Sequence, residues 1–163
     1  GALQAFTKSK RLQHVKPHGA LYNRAVSDEP VARAICEAIL EVDPDMVLLA
    51  LASSRWITIA QEMGLRVAPE IFADRGLNTD GTLVSRALPG ALLHDAKEVA
   101  VRSVRMVTEG KASTVSGEEI DVEATSLCMH SDSPGAVEMF SAVREELERA
   151  NVDIRPLGEL ATR

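Results

Sequence analysis

The chain has 163 residues, which is enough for one ordinary domain with a hydrophobic core. Apolar residues make up 45% and aromatic residues only 3%, so aliphatic side chains must fill that core. The net charge of −6 argues against nucleic acid or an anionic membrane as the main partner. No apolar run approaches the roughly 18 residues of a membrane span. Cys36 and Cys128 lie far apart in apolar runs, which is typical of reduced cysteines and predicts a cytoplasmic protein.

The first half of the chain alternates between strand and helix patterns. We predict a strand at 14–18, a helix at 27–42, a strand at 46–52, a helix at 53–64 and a strand at 65–72. Ser27 or Asp28 can cap the first of these helices, and Gly64 is a typical residue to end the second. The continuous apolar run at 46–52 is expected for a strand that is covered on both faces.

The second half continues the alternation. We predict a turn at 78–84, a helix at 94–110, two short extended segments within 112–124, a strand at 125–130, a helix at 133–151 and a last strand at 152–157. Asp80 and Gly81 form a hairpin-turn signal, and Asp95 stands three residues before Glu98 as in a capping box. Pro134 is expected at the first helical position, after Ser133.

Alternating strands and helices predict an α/β fold with a mostly parallel sheet. No repeat, low-complexity tract or linker divides residues 1–163, so we expect a single domain. Neither of the two common glycine-rich nucleotide motifs is present. Any ATP used by this chain would therefore need another phosphate-binding element or another subunit.

Polar and ionisable side chains recur after the predicted strands. Because the carboxyl ends of parallel strands meet at one edge of a sheet, side chains placed there can share a site. The candidates are Lys16, His18, Tyr22, Asn23, Glu70, Asp74, Arg75, Arg86, His130 and Asp132. Each also has a structural interpretation: histidines at strand ends are often only hydrogen-bonded, and Asp74 beside Arg75 suits a local ion pair. Their recurrence at the same end of separate strands favours a shared site.

Three segments resemble the LamB/YcsF family. They read HVKPHGALYN at 14–23, EIFADRGLNTDGTLVSRALPGALL at 70–93 and SLCMHSDSPGAV at 126–137. The resemblance implies a distorted (β/α) barrel with mostly parallel strands, related to the seven-stranded barrels of polysaccharide deacetylases. It also implies cleavage of 5-oxo-L-proline to L-glutamate with hydrolysis of ATP, accompanied by Mg, in concert with 5-oxoprolinase subunits B and C. No tightly bound metal is expected.

The resemblance also assigns the candidate residues to roles. It implies that Lys16, His18, Glu70, Asp74, His130 and Asp132 are catalytic and that Tyr22, Asn23, Arg75 and Arg86 bind substrate. Cations suit the substrate carboxylate or a phosphate, carboxylates can position or activate water, and imidazoles can transfer protons. The three carboxylates cannot be ranked as candidate bases from the sequence.

Two departures from the family pattern stand out. Ser131 replaces a glycine that is common at that position, which is a mild change. The N-terminal segments N-x-D-x-G-E, G-F-H-x-G-D and G-A-H-P are absent, so the chain looks like the C-terminal two-thirds of a member. We therefore expect an incomplete barrel with an incomplete site. Its open sheet edges predict self-association or burial by a partner.

Two other functions remain open from the sequence. The first is metal-dependent hydrolysis of carbohydrate or amide substrates, like that of deacetylases, with His18 and His130 as metal ligands. The second is a non-catalytic scaffold that docks partner subunits.

Overall fold

The computed structural model describes residues 2–9, 11–132 and 134–160, with the backbone alone for Gly158 and Leu160. After a short 3-10 helix at Ala2–Phe6, the elements in chain order are β1 His14–Val15, α1 Gly19–Ser27, α2 Glu29–Val42, β2 Val47–Leu51, α3 Arg55–Glu62, β3 Arg66–Phe72, α4 Ala96–Thr108, β4 Lys111–Ser113, β5 Glu119–Asp121, β6 Ser126–Cys128, α5 Ala136–Arg149 and α6 Leu157–Leu160. Among the described helices, none combines the length and the apolar character that crossing a membrane requires.

The chain divides into two compact units. The first unit comprises the described parts of residues 1–50, 54–68 and 156–163, and the second comprises the described parts of residues 51–53 and 69–155. The prediction of a single domain over the whole chain stays a prediction.

The first unit is built on parallel strands in the order β1-β2-β3. His14 stands opposite Val47 in the β1–β2 pair. Every residue of β2 is buried, as the apolar run predicts for a strand covered on both faces. Helices α1, α2 and α3 pack on one another, and the ring of Trp56 meets that of Tyr22 edge-on at 5.5 Å between centroids. Trp56 is completely buried, so this contact belongs to the core of the unit.

The second unit holds the end of β3, which pairs in parallel with β6. Strands β4 and β5 form an antiparallel hairpin, and α4 packs along α5. Two apolar clusters fill this unit. One contains Ala52, Ile71, Leu77, Met106, Ala112 and Val122, and the other contains Ala73, Val99, Ala100, Met139, Val143 and Leu147. Ile71 of β3 belongs to the first cluster and Ala73, the residue just after β3, belongs to the second, so this strand end is anchored in a well-packed core.

Most predicted elements are confirmed, including their helix caps. The side chain of Asp28 accepts a hydrogen bond from the backbone N–H of Val31, and that of Asp95 accepts one from Glu98. Gly81 has a φ of 80°, as the predicted turn requires. Cys36 and Cys128 are both free thiols.

Three local predictions were wrong or incomplete. Helix α1 was missed because it is short and begins at a glycine, so its apolar period is weak. Helix α5 begins at Ala136 and not at Pro134, since Gly135 has a φ of 77° that is incompatible with a helix; Ser133 lies outside the described residues. Residues 152–157 form no strand, because Pro156 has no N–H for a sheet and Ile154 is exposed.

Candidate active site

Asp74 and His130 form a hydrogen-bonded pair just beyond the carboxyl ends of β3 and β6. The parallel register places Phe72 opposite Cys128, so the residues two positions further along each strand come side by side. One carboxylate oxygen of Asp74, Oδ2, lies 2.8 Å from the imidazole Nδ1 of His130 and 3.1 Å from its backbone nitrogen. The other, Oδ1, lies 3.1 Å from Nδ1. A single carboxylate therefore fixes both the backbone and the ring of the histidine.

The environment of this pair suits proton transfer. The side chain of Asp74 is 4% exposed and that of His130 is 23% exposed. An ionised carboxylate can only accept hydrogen bonds, so we assign the proton of the neutral imidazole to Nδ1, which leaves a lone pair on Nε2. The ring of Phe72 stacks on the imidazole at 5.9 Å between centroids. His130 is thus oriented on one side by a carboxylate and on one face by an aromatic ring, as in general acid–base sites.

Arg75 is buried and ties a loop to the end of β3. Its Nε donates to the carbonyl oxygen of Ala91 at 3.0 Å, and its Nη2 donates to that of Val84 at 2.7 Å. Burial lowers the pKa of the Arg75 guanidinium, and the positive charge of Arg86 lowers it further, while Asp74 opposes the change. Arg86 itself is exposed. Two neighbouring cations would be stabilised by an anion, such as a carboxylate or a phosphate.

The two remaining candidates of the second unit differ in burial. Glu70 is 2% exposed and lies within β3, where its carbonyl oxygen accepts a hydrogen bond from the backbone N–H of Ala52 at 2.8 Å. Asp132 is exposed two residues after His130. The structure thus places the carboxyl group of Glu70 in the interior and that of Asp132 at the surface.

The four remaining candidates lie in the first unit. Lys16 places its Nζ 5.8 Å from the centre of the ring of Tyr22, which is 3% exposed. His18 is the N-cap residue of α1 but its side chain makes no capping hydrogen bond. Asn23 is exposed and donates to the carbonyl oxygen of Gly19 within the same helix at 3.2 Å. The structure thus joins Lys16 with Tyr22 and Asp74 with His130. The predicted convergence of all ten residues stays a prediction.

A groove of about 930 Å³ lies elsewhere in the second unit, between α4, β4 and the loop after β3. Its lining includes Gly76, Gly90, Arg102, Arg105 and Lys111, and neither member of the Asp74–His130 pair contributes to it. Among the residues that the structure describes, no group of three or more His, Cys, Asp or Glu side chains is arranged to hold a metal ion.

Arg102 was not a sequence candidate, yet it contacts the strand end that carries the pair. Its Nη1 donates to the carbonyl oxygens of Phe72 and Ala73. Its helical spacing offers a signal: Arg102 lies three residues after Val99 and four before Met106, both of which are buried. An arginine at such a position has to extend along, or into, the core.

The fold and the pair together describe an α/β protein with ionisable side chains at the carboxyl ends of parallel strands. The model of the LamB/YcsF family matches residues 1–162. The chain belongs to the LamB/YcsF family.

Named relatives are similar over nearly the whole chain. The 5-oxoprolinase A subunit of Pyrococcus horikoshii is 50% identical over 161 residues, which cover 98% of this chain and 63% of the relative. The protein of the same name from Alkaliphilus metalliredigens is 46% identical over 162 residues, with the same two shares. The chain therefore spans less than two-thirds of the length of these curated relatives.

A solved structure is also similar. The crystal structure of the lactam utilization protein from Thermus thermophilus superposes with a TM-score of 0.85 at 44% identity, covering 94% of this chain and 62% of the other. The predicted α/β fold class with mostly parallel strands is confirmed by this likeness.

Proposed function

We propose that this chain provides part of the A subunit of an ATP-dependent 5-oxoprolinase, which cleaves 5-oxo-L-proline to L-glutamate. The identity of 50% to a relative with that name supports the proposal. In chemical terms the proposal rests on the Asp74–His130 pair, because opening a lactam ring requires proton transfer at a positioned group.

The substrate explains why an activated step is needed. The ring amide is stabilised by resonance, so water attacks it slowly. Transfer of a phosphoryl group from ATP to the amide oxygen makes the ring carbon electrophilic and releases ADP. Water then adds at that carbon, the ring C–N bond breaks, and the nitrogen takes up a proton. A second water hydrolyses the resulting acyl phosphate to L-glutamate and phosphate.

The second unit offers groups for these steps. With its proton on Nδ1, His130 can accept a proton from the attacking water at Nε2 and deliver it to the departing nitrogen. Asp74 orients the ring and stabilises the imidazolium that forms in between. Arg75 and Arg86 suit the carboxylate of 5-oxoproline or a transferred phosphoryl group.

The other candidates complete the proposal. Lys16 is a further cation for a phosphoryl group, His18 a second proton carrier, and Glu70 and Asp132 further carboxylates for positioning water. Tyr22 and Asn23 are proposed to contact the substrate. ATP with Mg as co-substrate, assembly with subunits B and C, self-association and a cytoplasmic location also belong to the proposal.

The test is a glutamate-release assay on the complete enzyme with subunits B and C. Wild-type enzyme should release L-glutamate and ADP only when both 5-oxoproline and ATP are present. His130→Gln should lower kcat by about 100-fold or more. The matched control is His94→Gln, because His94 is exposed and precedes α4 without capping it. Glutamate release without ATP, or a wild-type rate in His130→Gln, would contradict the proposal.

A further inference from the structure

Arg102 is a cation held against the backbone of the strand end that carries Asp74. It lies on α4 and is partly buried. Its Nη1 donates to the carbonyl oxygen of Ala73 at 2.7 Å and to that of Phe72 at 3.1 Å. These are the two residues immediately before Asp74, so the guanidinium fixes the orientation of the peptide from which the carboxylate projects.

Neighbouring backbone bonds complete this support. The N–H of Ala73 donates to the carbonyl oxygen of Cys128 at 3.0 Å, and the N–H of Leu93 donates to that of Asp74 at 3.0 Å. The backbone on either side of the Asp74 carboxylate is therefore bonded to β6 and to the segment just before α4. Arg102 differs from these partners because it adds a positive charge.

The charge of Arg102 acts on Asp74. Burial lowers the pKa of the Arg102 guanidinium to about 10, and the negative charges of Glu98 and Asp74 oppose this. The group therefore remains protonated at neutral pH. The same interaction attracts the carboxylate of Asp74, whose oxygens lie against Nδ1 and the backbone N–H of His130.

One buried nitrogen of the Arg102 guanidinium is unpaired within the part of the chain that the structure describes. Its Nη2 is buried and has no hydrogen-bond partner among the described residues. A buried nitrogen without a hydrogen-bond partner costs stability.

We propose that Arg102 is a positioning residue for the reaction, which holds the carboxylate of Asp74 against Nδ1 of His130 through the carbonyl oxygens of Phe72 and Ala73. This inference rests on the proposed function for its kinetic consequence, but the state of the pair can be measured without turnover.

The experiment compares Arg102→Met and Arg102→Lys with Arg105→Met in the complete enzyme with its partner subunits. Arg105 lies on the same helix, lines the same groove and pairs with Glu109 and Glu119, so its replacement controls for the loss of an arginine there. Arg102→Met should lower kcat by about tenfold or more while KM for 5-oxoproline changes by less than about threefold. Arg102→Lys keeps the charge and should recover most of the loss, and Arg105→Met should match wild type.

The second readout is the tautomer of His130, measured by ¹⁵N NMR of histidine-labelled protein and assigned with His130→Gln. Wild type and Arg105→Met should carry the proton on Nδ1, whereas Arg102→Met should shift the neutral ring toward the Nε2–H form. If Arg102→Met does not fold, Arg102→Gln replaces it with the same expected result. An unchanged tautomer, or an unchanged kcat in an active enzyme, overturns the inference. A tautomer shift in an enzyme whose wild type does not cleave 5-oxoproline supports the positioning role and overturns only the proposed function.

Discussion

The segment after β1 and the segment after β3 carry similar kinds of polar side chains but hold them differently. After β1, His18 makes no capping hydrogen bond and Asn23 is bonded within its own helix. After β3, Asp74 and Arg75 are buried and bonded to other elements of the second unit. The second arrangement is preorganised, because its groups are already oriented before a ligand arrives. Function and stability should therefore both be more sensitive to substitution after β3 than after β1.

The largest difference is expected in catalysis. Asp74→Asn removes the charge that orients His130 and should lower kcat by about 100-fold or more. His18→Gln in the less constrained segment should lower kcat by less than about tenfold. Both rates are measured as ATP-dependent glutamate release by the complete enzyme. Equal losses in the two variants would contradict this difference and assign proton transfer to both segments.

A glycine in each segment gives the next contrast. A Cβ at Gly76 would lie 2.2 Å from the carbonyl oxygen of Gly90, whereas a Cβ at Gly19 would meet nothing within 4 Å. Gly76→Ala should therefore lower the free energy of unfolding by about 3 kcal/mol, through a backbone clash. Gly19 has a φ of 60°, so Gly19→Ala should cost only about 1 kcal/mol of backbone strain. Urea unfolding of both variants measures the difference, and similar midpoints would contradict it.

Replacing a cation should likewise cost more stability after β3 than after β1. Arg75→Met leaves the carbonyl oxygens of Ala91 and Val84 without their donor and should lower the free energy of unfolding by about 2 kcal/mol. Lys16→Met loses a contact with the ring of Tyr22 and should cost about 1 kcal/mol or less. Thermal and urea denaturation check both values. A larger cost at Lys16 than at Arg75 would reverse the ranking of the two segments.

The smallest expected effect is a gain in stability. His18 is the N-cap of α1 without a side-chain capping bond, and aspartate is a favourable residue there, so His18→Asp should raise the free energy of unfolding by about 0.5–1 kcal/mol. Asp95 already caps α4, so Asp95→Ala should lower it by about 1 kcal/mol. Urea titrations in parallel test both signs. A loss of stability in His18→Asp would show that the histidine makes a contribution beyond the cap.

The alternation of strands and helices could be predicted because each long element has its own apolar period. The continuous run of β2 and the capping residues Asp28 and Asp95 are local signals, and local signals survive in the fold. Helix α1 and the final helix at Leu157–Leu160 were not predicted, because short elements are decided by what they pack against.

The candidate site likewise has a part that local sequence signals predict and a part that depends on non-local contacts. Asp74 and His130 could be nominated from the sequence because they follow strands, but their pairing depends on the register between β3 and β6. No local pattern encodes that register. The helical spacing of Arg102 indicates an arginine beside buried residues, but its role could not be predicted, because its partners are backbone carbonyl oxygens that a sequence does not distinguish from any others.

Arg75 clamps a loop by donating hydrogen bonds to the carbonyl oxygens of Val84 and Ala91, and this clamp affects how the sequence of such a protein can evolve. The clamp secures both ends of an exposed stretch at 85–90 that includes Arg86. Residues between the two anchor points can be exchanged, lengthened or recharged while the strand end beneath them keeps its form. Under the proposed function, ligand preference can thus change at the tip while the Asp74–His130 pair stays intact.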